Sequence, residues 1–566
     1  MKQAVISAIS PQAAFLCASA CLALGAAALL FLGKKRSISA LISMLSHLAS
    51  LIFITYAAVF VRELGILPAR PLFSLPPLKA SFLLRIDGTA IFFLLLFSIL
   101  GLVITWFSRG FGRGFSDNVF RRYYPSIHLL MISLFFCVSL RDMLFFLIFW
   151  ETATLASCLL LFPSLPKMSI FSRRFLLIEH AALILILTPL LSLALFSGGW
   201  SFELIQGAMG KMAVRMPVVL FLLLALFFIG FGARAGALSV IRLEKERELS
   251  CSPPVLALVF CGLSPLGLYG LLRIFPGMLL FLRPAFFWGW ALAFMGLFFL
   301  VGGCLKALKE PEDCGLLAFL SRAQVGYVLV GLGTAVSFLR IDPAVSALSL
   351  ASAFLLLFVH VLSAAILFLS MNSASSTAEG RLGASEVILL STALLSAAGL
   401  PLFGGFAGRW LLLQAGFFGG IELTLCLALG LGALFAAVLV PACLLKFVSF
   451  LIFRQAEPDS PPKACGAMDL SRATLALLCL ALFLFPVLTL KLVSLGMSGL
   501  FPSDYLPPFA SLFGNSPWQM TLTGGGEWSP LLIGLLWIIL TGLACSLYRI
   551  GDGIFLKAPL WRGQDK

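Results

Sequence analysis

The chain has 566 residues, 61% of them apolar and only 11% charged, with a mean hydropathy of +1.08 and a formal net charge of +15. Soluble globular proteins lie nearer to half apolar and a quarter charged, so this composition excludes one. The basic excess, which in a soluble chain would suggest nucleic acid, falls mainly between apolar runs and sets orientation in a membrane instead.

In chain order, the first long apolar run, 12–33, is followed by Lys34, Lys35 and Arg36, a pattern that suits an uncleaved first span rather than a signal peptide. Further spans are expected near 38–61, 86–108, 124–140, 143–163, 175–198, 217–240 and 254–274. Others are expected near 284–304, 314–338, 344–371, 385–402, 405–420, 421–451, 471–496 and 529–549. The fold class is therefore an all-α polytopic membrane protein with roughly 14 to 16 transmembrane helices. The runs are continuous rather than alternating with period two, which excludes an outer-membrane barrel. Basic groups at 34–36, 109–122, 167–174, 242–247 and 306–309 share one side, taken as cytoplasmic, which puts the N-terminus outside. The stretches 453–470 and 497–528 read as soluble connections. The thirteen cysteines, among them Cys17, Cys21, Cys137 and Cys158, lack the spacing of a metal site and read as small buried hydrophobes.

Ionisable residues inside spans are costly to bury, so they are the candidates for function. Glu151 stands in LFFLIFWETATLASCLLLF, where burial favours its protonated form. Arg234 stands in FFIGFGARAGALSV, and Gly230, Gly232 and Gly236 beside it predict a local helix break. His360 is the histidine in the middle of a long apolar run and a candidate proton relay. Arg409 follows a second interruption formed by Gly399, Pro401, Gly404, Gly405 and Gly408. His47, His128 and His180 are given no role, and the run Arg242–Glu248 reads as a solvated loop.

These residues carry a resemblance. RIDGTAIFF from Arg85, FWE at 149–151, GFGARAG from Gly230 through SPPVLAL to GLYGLLR at Arg273, LLAFLSRAQVGY from Leu316, His360, and AGLPLFGGFAGRW from Ala398 follow in order. Together they resemble the antiporter-like membrane subunits shared by respiratory complex I, Mrp-type cation/proton antiporters and membrane-bound hydrogenases. The resemblance implies two inverted five-helix repeats, each with a broken helix, here assigned to 124–274 and 284–451. The N-terminal helices would take 1–123, and a polar linker with C-terminal helices 452–566. It also implies a proton path through Glu151, Arg234, His360 and Arg409. The sequence departs from the family pattern where Pro265 replaces a lysine, where Ile241 and Glu248 replace loop histidines, and where Ala364 stands at another frequent lysine. Arginine replaces lysine at Arg234, and at Arg409 stands where the family carries Lys or Glu. Guanidinium stays charged in proteins, so both arginines are expected to act as fixed counter-charges, Arg234 paired with Glu151.

The expected function is that of a proton-translocating membrane subunit of a redox-driven complex, non-catalytic in itself. The layout resembles the hydrogenase-4 type more than complex I. The resemblance implies partners among other membrane subunits and soluble redox subunits, in a bacterial or archaeal cytoplasmic membrane. It implies no cofactor in this chain, and no nucleic acid. The departures leave two readings open, a conducting subunit or a non-conducting scaffold. A stand-alone Mrp-type exchanger or an inorganic-carbon uptake subunit is the alternative class.

Overall fold

A computed structural model describes residues 10–32, 36–64, 68–111, 117–161, 170–236, 252–279, 285–371, 384–453 and 466–500, with short stretches between 520 and 546. Helices dominate, and twelve of those described are long and apolar enough to cross a membrane. The protein is a multi-pass membrane protein of the expected all-α class. The N-terminal set comprises α1 (Pro11–Leu32), α2 (Arg36–Leu64), α3 (Gly88–Phe111) and α4 (Asp117–Ser139). There follow α5 (Met143–Leu161), α6 (Ile170–Ser197), α7 (Phe202–Arg215), α8 (Pro217–Gly236), α9 (Pro253–Leu258) and α10 (Ser264–Leu279). The second half holds α11 (Ala285–Lys309), α12 (Asp313–Phe338), α13 (Pro343–Leu369), α14 (Ala384–Ala398), α15 (Gly404–Glu422) and α16 (Thr424–Phe453). Two further helices close this part, α17 (Gly466–Leu484) and α18 (Pro486–Ser498).

Three stretches are wholly enclosed by protein: the helix through α9 and α10, α12, and α13. Of the side chains discussed below, Arg322 stands on α12 and His360 on α13. Asp342 caps α13, its Oδ1 accepting from the backbone N–H groups of Ala344 (2.8 Å) and Val345 (3.2 Å), with Pro343 at the first helical position. Close approach of α11 and α12 requires glycine: a Cβ on Gly296 would lie 2.6 Å from the Val330 nitrogen, and one on Gly333 2.3 Å from that of Ala293. Between α9 and α10 the helix widens into a π-turn over Val259–Leu263, just before Pro265. A proline cannot donate to the carbonyl one turn back, and the π-turn takes up the misfit where the family pattern has lysine.

Four features depart from the expected elements. The apolar run 471–496 is two helices, because Pro486 supplies no N–H and starts α18 afresh. A two-stranded antiparallel sheet, β1 (Arg70–Leu75) and β2 (Ala80–Leu84), fills the connection before α3. The short amphipathic α7 lies outside the expected spans, with Ser201 accepting from the Leu204 N–H at 3.2 Å and Phe202, Ile205, Met209 and Met212 buried along one face. Finally, α8 runs unbroken through Gly230 and Gly232 to Gly236, so the first two glycines do not interrupt it. They serve packing instead: a Cβ on Gly230 would meet Ile186 at 2.7 Å, and one on Gly236 would meet Phe299 at 2.2 Å. The segment 237–251, with Ile241, Glu248 and the loop charges, lies outside the described residues, as do most of 501–566.

Candidate functional site

The expected residues fall into two separate buried sites. In the first half, Arg234 on α8 is fully buried. Its Nη1 donates to Thr154 Oγ1 at 2.8 Å and to the carboxylate of Glu179 on α6. Its guanidinium carbon lies 4.1 Å from the centre of the Trp150 ring, a cation–π contact. Trp150 and Thr154 are four residues apart on α5 and so share the face turned to α8. Glu151 is rotated by about 100° from Trp150 around the same helix, and that rotation turns it away.

The expected Arg234–Glu151 pair is therefore corrected. Arg234 is neutralised by Glu179, and Glu151 pairs with His180, its Oε1 lying 3.1 Å from His180 Nε2. Neither Glu179 nor His180 was singled out from the sequence. The span containing them was placed at 175–198, which puts Glu179 near its end, where snorkelling is unremarkable. In the structure α6 begins at Ile170. Glu179 then lies roughly 14 Å along the helix and is buried, with 1% of its side chain exposed.

In the second half the break is present as expected. α14 ends at Ala398, α15 begins at Gly404, and Gly399 takes a left-handed φ of 69° between them. Arg409, also buried, folds back onto the end of α14, donating to the carbonyls of Ala397 (2.5 Å) and Ala398. Its guanidinium carbon sits 4.6 Å from the centre of the Tyr327 ring. No carboxylate among the described residues reaches it; the negative end of the α14 dipole takes that place.

His360 on α13 is 2% exposed, with Nε2 3.3 Å from Ser321 Oγ on α12. It borders a cavity of about 10 Å³, the size of one water, shared with Ser321, Gln324, Ser363 and Ala397. Gln324 Nε2 donates to the Ala397 carbonyl at 3.0 Å, the same oxygen that accepts from Arg409. His360 and Arg409 are thus joined through one carbonyl and one cavity. Ala364, at the lysine position, lines the same cavity.

A further buried cation, Arg322 on α12, was not picked out. Its guanidinium carbon lies 4.5 Å from the Phe299 ring centre, and no carboxylate among the described residues pairs with it. It stood in the sequence as an arginine inside the 314–338 span, read only as part of a longer motif.

Two of the resembling motifs meet outside these sites. Asp87, just before α3, accepts from Arg141 Nη2 at 2.6 Å and from Arg273 Nη2 at 2.7 Å. Arg273 also donates to the Tyr269 hydroxyl (2.9 Å) and the Gly499 carbonyl (3.1 Å). Burial alone would push the Asp87 carboxyl up, but Arg273 and Arg141 together outweigh it and hold the group at about 2. This cluster is a structural clamp. Among the described residues, no group of three or more His, Cys, Asp or Glu is placed to hold a metal ion.

The fold is similar to that of known membrane-complex chains. The described fold matches a chain of the membrane-bound sulfane sulfur reductase, an archaeal respiratory membrane complex, with a TM-score of 0.75 over 96% of this chain and 86% of that one, at 19% identity. A chain of the Mrp complex from Dietzia matches with a TM-score of 0.72 over 88% of this chain and 98% of that one, at 17% identity. One of respiratory complex I from Thermus thermophilus matches with 0.64 over 87% and 100%, at 18% identity. In sequence, the chain is 29% identical to formate hydrogenlyase subunit 3 of Escherichia coli over 44% of either chain. It is 24% identical to hydrogenase-4 component B of the same organism, over 59% of this chain and 51% of that one. The chain is a homologue of these membrane subunits, as its motifs implied. The matched segments span about half the length of those relatives. No family model matches the chain.

Proposed function

We propose that this protein is a proton-translocating, antiporter-like subunit of a redox-driven membrane complex of the hydrogenase type. Other membrane subunits and soluble redox subunits complete that complex, in the cytoplasmic membrane of a bacterium or archaeon. Flavin, iron–sulfur or nickel–iron centres would reside in those soluble partners. The observation that carries the reading is the two carboxylates of this corner, Glu179 buried against Arg234 and Glu151 half-buried against His180. Glu179 neutralises the fixed charge, which leaves Glu151, paired with a histidine, to gain and lose a proton. Kinship with formate hydrogenlyase subunit 3 and hydrogenase-4 component B supports the hydrogenase type over complex I.

The test is proton uptake by vesicles of the native membrane, with the tagged chain and its copurifying subunits identified by mass spectrometry. Glu151→Gln is expected to lower uptake at least tenfold while the complex still assembles. Undiminished uptake in that variant would falsify the role of Glu151.

A second reading, a non-conducting scaffold, is favoured by the second half. There Arg409 is held by backbone carbonyls and Ala364 stands at a lysine position, so His360 is the titratable side chain in that group. Normal assembly without proton uptake in the unaltered protein would select it.

A further inference from the structure

We infer that Arg322 and Lys306 bind the phosphate of an anionic phospholipid, in a notch on the outer side of α11 where it meets α12. The inference goes beyond proton translocation and does not rest on it.

Arg322 carries the argument. The residue is 7% exposed, its Nε is buried without an acceptor, and among the described residues no carboxylate pairs with it. Although α12 is enclosed, this side chain reaches the outer surface. Its guanidinium carbon lies 4.5 Å from the ring centre of Phe299 and 5.4 Å from that of Phe298, which is 66% exposed on α11. Two aromatic faces offset only part of the cost of taking a full charge out of water, so the site calls for an anion.

Lys306 supplies a second charge beside it. It is exposed, and its Nζ is held 5.7 Å from the ring centre of Phe319, which stands three residues before Arg322 on the same face of α12. No carboxylate among the described residues pairs with Lys306 either.

Between these cations α11 is open. Phe298, Gly302 and Lys306 follow one another at four-residue intervals, so they share a face. A Cβ on Gly302 would meet no atom within 4 Å, whereas one on Gly303 would press on the Phe319 carbonyl at 2.8 Å. The missing side chain at 302 leaves a notch bounded by Phe298, Lys306 and the reach of Arg322. Exposed Phe294, Phe298 and Leu305 on α11 give acyl chains an apolar track.

The depth suits a head group drawn slightly inwards. Lys306 stands three residues before the end of α11, about 5 Å from it, and Arg322 about 14 Å along α12. Helical side chains lean towards the start of their helix, so Arg322 rises towards the surface at which α11 ends and α12 begins. Basic pockets between helices at that level fit anionic head groups. With two cations and no carboxylate, the notch offers nothing to the ammonium of a zwitterionic lipid.

The test uses the full chain with its copurifying partners, stripped of lipid in detergent and titrated with phosphatidylglycerol or phosphatidylcholine. Binding is counted by native mass spectrometry. Phosphatidylglycerol is expected to bind at least tenfold tighter. A basic residue near an anionic head group is worth about fivefold, so Arg322→Gln and Lys306→Gln should each weaken the preference by that factor. Gly302→Leu keeps both charges and fills the notch, and it should weaken binding as much; it also serves where Arg322→Gln fails to assemble. Equal affinity for the two lipids overturns the site, as does an unchanged preference in both Gly302→Leu and Lys306→Gln. A photoreactive residue in place of Gly302 then identifies the occupant. Cross-linking to added phosphatidylglycerol upholds the inference, and cross-linking to a peptide, of another subunit or of this chain, overturns it.

Discussion

The two halves of the membrane core each bury an arginine beside a cluster of glycines, and they neutralise it differently. Arg234 has a carboxylate, Glu179, and a second carboxylate, Glu151, pairs with His180 on the same side of the core. Arg409 has two carbonyls at the end of α14 and an aromatic face. A carboxylate titrates and a carbonyl does not, so the first site can change its charge and the second holds it fixed. Similar local sequence thus yields an arginine neutralised by a carboxylate in one half and one held by backbone carbonyls in the other. The side chains that decide between them come from other helices.

The largest test of that contrast is Glu179→Ala. It strands a fully buried guanidinium and is expected to cost about 3–5 kcal/mol, read as a large fall in the melting temperature of the purified protein. Arg409→Ala, which frees only carbonyls, should cost about 1–3 kcal/mol. Equal losses would erase the distinction.

Acid sharpens it further, with Asp87 as the reference for a carboxylate held by arginines. Its carboxyl is drawn from 3.8 down to about 2 in the folded protein. Its contribution, about 2 kcal/mol, is therefore complete above pH 4 and lost as the pH falls towards 2. Melting curves should show that loss in the unaltered protein and not in Asp87→Asn. The Arg409 contacts should add nothing to the acid dependence, since neither partner titrates there.

The smallest effect is expected from Gly399→Ala. The left-handed φ costs about 1–2 kcal/mol for a residue with a Cβ. That Cβ would also lie 2.6 Å from the Arg409 side chain, so the substitution should displace the arginine. A melting temperature unchanged within a degree would mean that the turn is looser than described.

The second half was the more legible in the sequence because its signal is local. Gly399, Pro401, Gly404 and Gly405 break the helix wherever they stand, and Arg409 lies one short segment later. The first half was misread because its pairing is tertiary. The sequence shows Glu151 and Arg234 as isolated charges, and joining them is the simplest assignment. Helical rotation at Trp150–Glu151 and a span start five residues earlier than expected put Glu179 in that place instead. The glycines near Arg234 show the same limit: glycine permits both a break and close helix packing, and only the neighbours Ile186 and Phe299 tell which. The order of the spans was legible, since a run of apolar residues long enough for a bilayer has few other uses, whereas α7 and the split at Pro486 were not.

The Asp87 clamp ties the order of synthesis to the order of folding. Asp87 and Arg141 emerge early, Arg273 near the middle of the chain, and the Gly499 carbonyl that closes the cluster about 400 residues after Asp87. At ~5–20 residues per second, the aspartate waits on the order of a minute for its last partner. Thr89 likewise waits for the Gly496 carbonyl, to which it donates at 2.7 Å. Without α18 the clamp lacks the Gly499 carbonyl and stays incomplete, so α18 closes a cluster begun before α3.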